Sequence, residues 1–460
     1  MRTVQIAGDF TPTNRGDILI GVNATRAADL RVRLELPALP APLTPRDVSL
    51  VWVAAGLFGY EGLFRKKVIK GTEPTEVLVS RDADLDTNAL AASVTEILRF
   101  TLGLNPEITV TPTQSESQPS AGPRSEIEFD TATLFSGGTD SLCGVLETKA
   151  HGWSPLGVSV RHSGGTTARV SKLRDSVLSG ASIPVVGFGI NTEGGWRLQQ
   201  LRGVLYTVAA GVVASQTETR RIVISESGPT MVLPRIGPLD DVTLTTHPYL
   251  LRLTLDLLKA QYGKPFTLIE PYAHLTKAES LASCRAKDAV PSTHSCSNTR
   301  FASRGDMVNH CGVCFGCVIR RLSCKVAGIE DTSYAADPLT QSLSHLGTGF
   351  RKRQKVSEDK LAEIMDVLVF ARRVMEGKLP PSVQQDLEAY GVTNLFARFA
   401  MDILSGLDLL GRRESIHNEW VSKFYQECVR DEVVTREMVD SRVADVRGGK
   451  FQPSFDSLLS

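Results

Sequence analysis

The residues Ser136-Gly137-Gly138-Thr139-Asp140-Ser141 stand between the apolar run Thr131-Ala132-Thr133-Leu134-Phe135 and the helix-forming stretch Leu142 to Lys149. Two glycines let the backbone approach an anion with no Cβ in the way. The Ser136 and Ser141 hydroxyls and the first helical N–H groups can then donate to phosphate oxygens. Asp140 looks misplaced beside a phosphate unless a cation lies between the two, so its presence points to Mg²⁺ bridging to the phosphates. The structural alternative is a tight turn with an Asp or Ser cap. A Walker loop is excluded, because Gly-Lys-Ser/Thr is missing.

A second group is Cys296, Cys311, Cys314 and Cys317, spaced C-x14-C-x2-C-x2-C. Four thiolates are what a closed tetrahedral zinc site needs. The short spacings turn the chain around one ion, Gly312 and Gly316 relax the backbone, and Cys296 can close the fourth position. Buried free cysteines and an iron–sulfur cluster are the alternatives. His294 and His310 flank the group and are left outside the shell. Cys143, Cys284, Cys324 and Cys428 lie apart in sequence and read as ordinary buried residues. Disulfide staples are not expected in a reducing compartment. With no second cysteine paired near the loop, a persulfide relay has little support.

The full Ser-Gly-Gly-x-Asp-Ser, directly after an apolar strand and opening a helix, resembles the PP-loop of the ATP pyrophosphatase superfamily. That resemblance implies a loop that holds the departing pyrophosphate, with chemistry at the α-phosphate and transfer of AMP. Joined to C…C-G-x-C-x-x-C, it is similar to the 7-cyano-7-deazaguanine synthase (QueC) family. Glu226, just beyond the strand Arg221 to Ser225, matches a strand-end position of that family. Arg202 in Leu-Arg-Gly resembles its Gly-Arg-Asn region, and Pro271 to Glu279, PYAHLTKAE, resembles its Pro-x5-Lys-Ala-Glu stretch. Lys277 there can neutralise charge developing on the α-phosphate. Glu279 reads equally as a first-turn helix carboxylate. Arg320 and Arg321 follow the cysteines as basic residues do in the family.

The resemblance covers Glu126 to Glu330, under half of the chain. The flanking regions make the arrangement similar to the QueC-like proteins of bacterial anti-phage defence clusters, including the QatC type. Two family motifs are replaced: Asp-Tyr-Gly-Gln-x-His by Val160-Arg161-His162-Ser163-Gly164-Gly165, and Cys-Tyr-x-Gly by Cys296-Ser297-Asn298-Thr299. The resemblance implies ATP, Mg²⁺ and Zn²⁺, and 7-carboxy-7-deazaguanine as the carboxylate that is adenylated. Asp140 and Lys277 are then the catalytic pair, with Ser136, Gly137, Gly138, Thr139, Ser141, Arg202 and Glu226 binding the nucleotide. The acceptor is ammonia, giving a free amide or nitrile, or an amino group of a partner protein. A tRNA-modifying PP-loop enzyme and a non-catalytic nucleotide-binding subunit are readings of other classes.

These residues need a scaffold, and the surrounding pattern supplies one. Thr131–Phe135, Leu156–Arg161, Pro184–Ile190 and Arg221–Ser225 are apolar strands separated by helix-length segments. The fold class this implies is α/β with a doubly wound parallel sheet, whose ligands sit at the carboxyl ends of the strands. The family resemblance makes that sheet the PP-loop, adenine nucleotide α-hydrolase-like, type. Before it, strand-like alternation over Asp17–Leu36 and helical spacing of Leu90, Val94, Ile97 and Leu98 suggest a small α+β domain over 1–110. Residues 111–125 have linker composition. The ligase-like region is 126–330. Beyond it, 331–460 is helical, with stripes Leu361, Ile364, Met365, Leu368 and Phe396, Phe399, Ile403, and the last ten residues read as a loose tail.

At 460 residues, two or three domains are expected. Hydrophobic content of 42% with 22% charged residues argues for a folded body. Lys+Arg and Asp+Glu both number 51, so no net field favours a long phosphate backbone, and nucleic acid is an unlikely partner. The N-terminus lacks a secretory pattern and Val48–Tyr60 is too short to span a bilayer. A cytoplasmic protein with no membrane segment is expected.

Overall fold

The computed structural model describes residues 3–7, 18–22, 30–70, 72–113, 126–161, 164–192, 200–233, 244–296, 310–331, 334–344 and 358–456. Ten strands run through them: β1 (Val4–Ala7), β2 (Ile18–Val22), β3 (Leu30–Glu35), β4 (Thr75–Ser80), β5 (Ile108–Thr113), β6 (Thr131–Leu134), β7 (Pro155–Arg161), β8 (Val185–Thr192), β9 (Arg221–Val223) and β10 (Thr267–Ile269). They form a single sheet in the order β10-β9-β6-β7-β8-β3-β2-β1-β4-β5. Every pairing is parallel except β3 with β8, where Val32 faces Thr192 and Leu34 faces Ile190.

Helices α1 (Pro45–Arg65), α2 (Thr87–Leu102), α3 (Thr139–Ala150), α4 (Gly164–Leu173), α5 (Arg202–Ala214), α6 (Gly228–Met231), α7 (Pro248–Tyr262), α8 (Lys277–Ser283) and α9 (Phe315–Ala327) surround this sheet. Around β6 both α5 and α3 pack on the strand, α5 through the main apolar core and Leu142 and Val145 of α3 through a separate one with Phe135, as in a doubly wound arrangement. The strands there are sealed on both sides and read as continuous apolar runs. In β7, Pro155 to Val160 are all buried.

The first 110 residues do not build a sheet of their own. Their strands continue the sheet of residues 126–330 through the β3–β8 pairing, and one apolar core runs from Val4 to Leu268. A parallel half-sheet was not legible from alternation alone. In β3, Leu30, Val32 and Leu34 are buried while Arg33 and Glu35 are exposed. Such alternation marks a strand with one covered face but says nothing of its partner. On the other face Glu76 accepts from Gln5 and Thr111, both at 2.9 Å. Most of the expected linker, residues 114–125, lies outside the described residues.

The apolar run Val48–Tyr60 lies inside α1, which starts at a Thr44–Asp47 capping box. It is the one helix, among the described residues, long and apolar enough to cross a membrane, and 94% of its most apolar window is buried within the protein. Gly56 lets it press onto the sheet, since a Cβ there would lie 2.1 Å from Ile6 Cγ2.

The C-terminal region is helical as expected: α10 (Glu358–Met375), α11 (Pro381–Ala389), α12 (Thr393–Arg413), α13 (Glu419–Arg430) and α14 (Arg436–Arg447). Leu361, Ile364 and Leu368 of one stripe and Phe396, Phe399 and Ile403 of the other are buried, and Met365 is partly so. This second core takes in Val318, Ile319 and Leu322 of α9. The expected loose tail is instead packed as far as Asp456: Phe455 stacks on His151 at 4.2 Å and Ser454 donates its N–H to the Pro271 carbonyl at 3.1 Å. Two aromatic residues, Phe451 and Phe455, anchor a segment whose composition looks polar. Residues 457–460 lie outside the described residues.

Candidate active site and metal centre

The loop after β6 is shaped by its own hydroxyls. Ser136 N–H donates to Ser141 Oγ at 3.3 Å, Gly138 N–H to Ser136 Oγ at 3.3 Å, and Ser141 Oγ–H to the Gly138 carbonyl at 2.9 Å. Gly137 has φ +77°, a left-handed conformation that favours glycine. Helix α3 then starts at Thr139 with Gly138 as N-cap and no side-chain cap. Its first-turn N–H groups therefore face the loop as an anion would need them. The Thr139 hydroxyl is engaged elsewhere, with Thr293 at 2.8 Å and Ser295 at 3.0 Å. Only its backbone can serve a phosphate.

Asp140, Lys277 and Glu226 meet at this loop from three strand ends. Asp140 lies on α3 behind β6, Glu226 follows β9, and Lys277 opens α8 behind β10. Lys277 Nζ donates to Asp140 Oδ2, and both side chains are nearly buried. Glu226 accepts from Thr230 Oγ1 at 2.7 Å. Desolvation, and then the Asp140 carboxylate beside it, push the Glu226 carboxyl up; Lys277 and Thr230 pull the other way. Two carboxylates sharing one ammonium leave the cluster one negative charge in excess when both ionise, which is the condition a divalent cation relieves.

Arg202 belongs to another flank. It is the first residue of α5, with its guanidinium 5.9 Å from the half-buried Tyr206 ring. The N–H groups of Gln200 and Leu201 just before it donate to Glu61 Oε1 and Oε2, both at 2.8 Å. A buried carboxylate of α1 thus caps α5 across the fold. Beside this group stands Arg169 of α4, which sequence reasoning passed over because an arginine in a polar helix reads as surface. It is 8% exposed, and a Cβ on Gly137 would lie 3.4 Å from its Cβ. Burial holds its guanidinium down at about 10, with Arg202 adding to the depression and Tyr206 and Cys296 opposing it. His162 and Ser163 of the replaced family motif lie outside the described residues.

Glu270 is a second residue missed. It directly follows β10, is 2% exposed, and its Oε1 has no hydrogen-bond partner among the described residues. Burial alone pushes its carboxyl up to about 7. It sits one strand from the Glu226 segment, Ile224 N–H bonding to the Ile269 carbonyl at 3.0 Å. A single Glu before Pro carries no sequence signal.

The cysteine group comes together as its spacing predicts. The Cys296, Cys311, Cys314 and Cys317 sulfurs all lie within 4.8 Å of one another, and all four residues are buried. The Sγ separations are 3.7 Å for Cys311–Cys317, 3.9 Å for Cys296–Cys314 and 3.3 Å for Cys314–Cys317. Tetrahedral ligands about 2.3 Å from zinc stand about 3.8 Å apart, so the four thiols can hold a metal ion such as zinc. Gly312 is required, because its φ is +82° and a Cβ there would lie 1.6 Å from the Ala336 carbonyl oxygen. His294 and His310 stack at 4.7 Å outside the sulfur set, and His310 Nε2 accepts from Ser295 N–H at 3.1 Å. Ser297, Asn298 and Thr299 lie outside the described residues.

Arg320 joins the two sites. Fully buried on α9, it donates to Thr139 Oγ1 at 2.9 Å, Thr293 Oγ1 at 2.8 Å, the Val290 carbonyl at 2.7 Å and Asp331 at 2.8 Å. Arg321 turns outward, to Asp337 at 2.7 Å and Glu414 at 2.8 Å. The remaining cysteines correct one expectation. Cys143 of α3 and Cys284, the C-cap of α8, form a disulfide with Cα atoms 4.9 Å apart. A pairing 141 residues apart in sequence could not be read from spacing. The premise that no second cysteine accompanies the loop falls with it. Both residues are 2–3% exposed among apolar neighbours, so burial is now what disfavours a sulfur relay. Cys324 and Cys428 are free and buried.

Compared with protein-family models, curated proteins and solved structures, the chain finds no match.

Proposed function

We propose that this protein adenylates a carboxylate with Mg·ATP, the substrate being 7-carboxy-7-deazaguanine or a related deazapurine, and passes the acyl group to an amine. The observation that carries the proposal is the meeting of Asp140, Lys277 and Glu226 at a glycine loop that opens a helix, on the carboxyl edge of parallel strands. The PP-loop and QueC-like resemblance names the substrate and the reaction.

In this reading the β- and γ-phosphates lie on Ser136 to Ser141, held by the first-turn N–H groups of α3, with the two serine hydroxyls turning to them from their bonds within the loop. A carboxylate oxygen of the substrate attacks the α-phosphorus, the bond to the bridging oxygen breaks, and pyrophosphate leaves along the loop. Lys277 neutralises charge on the α-phosphate. The amine nitrogen then attacks the acyl carbon, AMP departs, and the amine gives up its proton. Asp140 and Glu226 would hold magnesium, which supplies charge neutralisation between carboxylates and phosphates. The four cysteines would hold zinc, a closed site with no open position for catalysis. Arg169 and Arg202 present cationic charge beside the loop and suit the anionic substrate.

The anti-phage defence resemblance favours an amino group of a partner protein as acceptor, so that the base becomes joined to that protein. The test is to incubate purified protein with Mg·ATP, 7-carboxy-7-deazaguanine and ammonium, with and without the proteins encoded beside it, and to identify products by mass spectrometry. The expected result is AMP and pyrophosphate, with a mass increase on a partner that disappears in Asp140→Ala. A free nitrile with an unmodified partner would instead identify ammonia as the acceptor. Absence of pyrophosphate with every acceptor sinks the ligase reading. Metal analysis should find about one zinc per chain.

A further inference from the structure

The carboxylate of Glu279 is completely buried, two residues from Lys277 in the first turn of α8. One oxygen accepts from its own Thr276 N–H at 2.9 Å, closing the capping box. The rest of its partners come from the C-terminal region. Arg398 of α12 places Nη1 2.7 Å from both oxygens and Nη2 2.7 Å from the His274 carbonyl. Arg442 of α14 places Nη2 2.6 Å from Oε1 and also grips Asp402, with Nε 2.7 Å from Oδ1 and Nη2 3.1 Å from Oδ2. Glu279 and Asp402 against Arg398 and Arg442 make a charge-balanced quartet. The Phe451 ring lies over both guanidiniums, at 4.5 Å and 5.2 Å.

This quartet sits where it controls an ammonium. Helix α8 has seven residues, so its direction depends on how its first turn is held, and Lys277 is its first residue. Lys277 must reach Asp140 across the loop, and group-to-group placement of this kind tolerates little error. The same helix α12 also presses on the Glu226 side, since a Cβ on Gly228 would lie 2.6 Å from Leu395 Cδ2. Nothing in the capping box itself supplies cationic partners for Glu279, and a buried carboxylate without them would pull toward water.

We propose that Arg398 and Arg442 are positioning residues for Lys277, so that the C-terminal helices complete the catalytic centre rather than merely adjoining it. The proposal rests on the adenylation reading for its kinetic part only. Its primary test is amine labelling of Lys277 with acetic anhydride in the full-length protein, read by mass spectrometry, with Lys325 as the internal control. Lys325 lies on α9 and is held by Glu414.

In Arg398→Gln, Lys277 should label about tenfold faster while Lys325 is unchanged, as local loosening requires. Pyrophosphate release should fall about 100-fold in kcat with KM for ATP nearly constant. Arg398→Lys, which keeps the charge but loses the fork, should recover part of both. In a Lys277→Ala background, Arg398→Gln should cost little further activity, because the group it positions is gone. Should Arg398→Gln not fold, Arg398→Lys and Asp402→Asn carry the same labelling measurement. Unchanged Lys277 labelling in a folded variant overturns the proposal, and so does an equal rise at Lys325. Should the wild type release no pyrophosphate with any acceptor, the adenylation reading fails while the labelling still decides the positioning.

Discussion

Glu270 offers the sharpest test among single residues. Its carboxyl is pushed up to about 7 in the native state by burial, from an ordinary value of 4.5. The native state therefore holds the proton more tightly than the unfolded chain. Stability from this group is fully present below about 4.5 and is lost as pH rises through about 7. Glu270→Gln keeps the neutral shape and cannot ionise, so it should leave stability unchanged near pH 4.5. At pH 8 it should be more stable than wild type by about 3 kcal/mol. Denaturant melts at both values check this. A flat difference across pH would mean that Glu270 has a partner in solution. Beside it, the Asp140–Lys277 contact joins residues 137 positions apart. Each was identifiable from its own local motif, and their meeting was not.

The two glycine turns act at the scale of elements, and they fail differently. Gly137 has room around it, a Cβ meeting Arg169 Cβ only at 3.4 Å, but its φ of +77° is strained for any other residue. Gly137→Ala should cost about 1–2 kcal/mol and weaken ATP binding, while the four-cysteine group still takes up metal. Gly312 combines φ +82° with a Cβ 1.6 Å from a carbonyl oxygen, so Gly312→Ala should abolish metal uptake. Calorimetry with Mg·ATP and metal content per chain separate the two outcomes. Equal loss of both properties in Gly137→Ala would show that the loop and the knuckle melt together through Arg320.

Across the whole molecule, the antiparallel β3–β8 seam makes the first 110 residues part of the main sheet. Removing residues 1–125 would bare the β8 edge, together with the face of α5 that packs on α1. An unpaired edge and an uncovered apolar helix promote association. The truncated chain should therefore be recovered mostly as aggregate, and light scattering after expression checks it. A monomeric, cooperatively folding truncation would show that the two halves are separate domains after all. The same deletion removes Glu61, so the Gln200 and Leu201 N–H groups that lead into α5 would lose their acceptor.

What the amino-acid sequence determined by itself was local. Ser136 to Ser141 needs only strand, glycine turn and helix in succession. The cysteine group needs only short spacings, Cys296 being the one sulfur brought from farther away. The helical stripes of the C-terminal region follow from period alone. Tertiary structure decided everything that depends on which distant elements share an edge or a charge. Backbone pairing of β3 with β8 leaves no side-chain signature, the Cys143–Cys284 bridge spans 141 residues, and the Glu279 quartet draws its cations from the far end of the chain. Buried charges such as Glu61, Glu279 and Arg320 look like surface residues in a string of letters. Only the fold shows what neutralises them, because the low-dielectric interior makes a partner obligatory without saying where in the sequence it must stand.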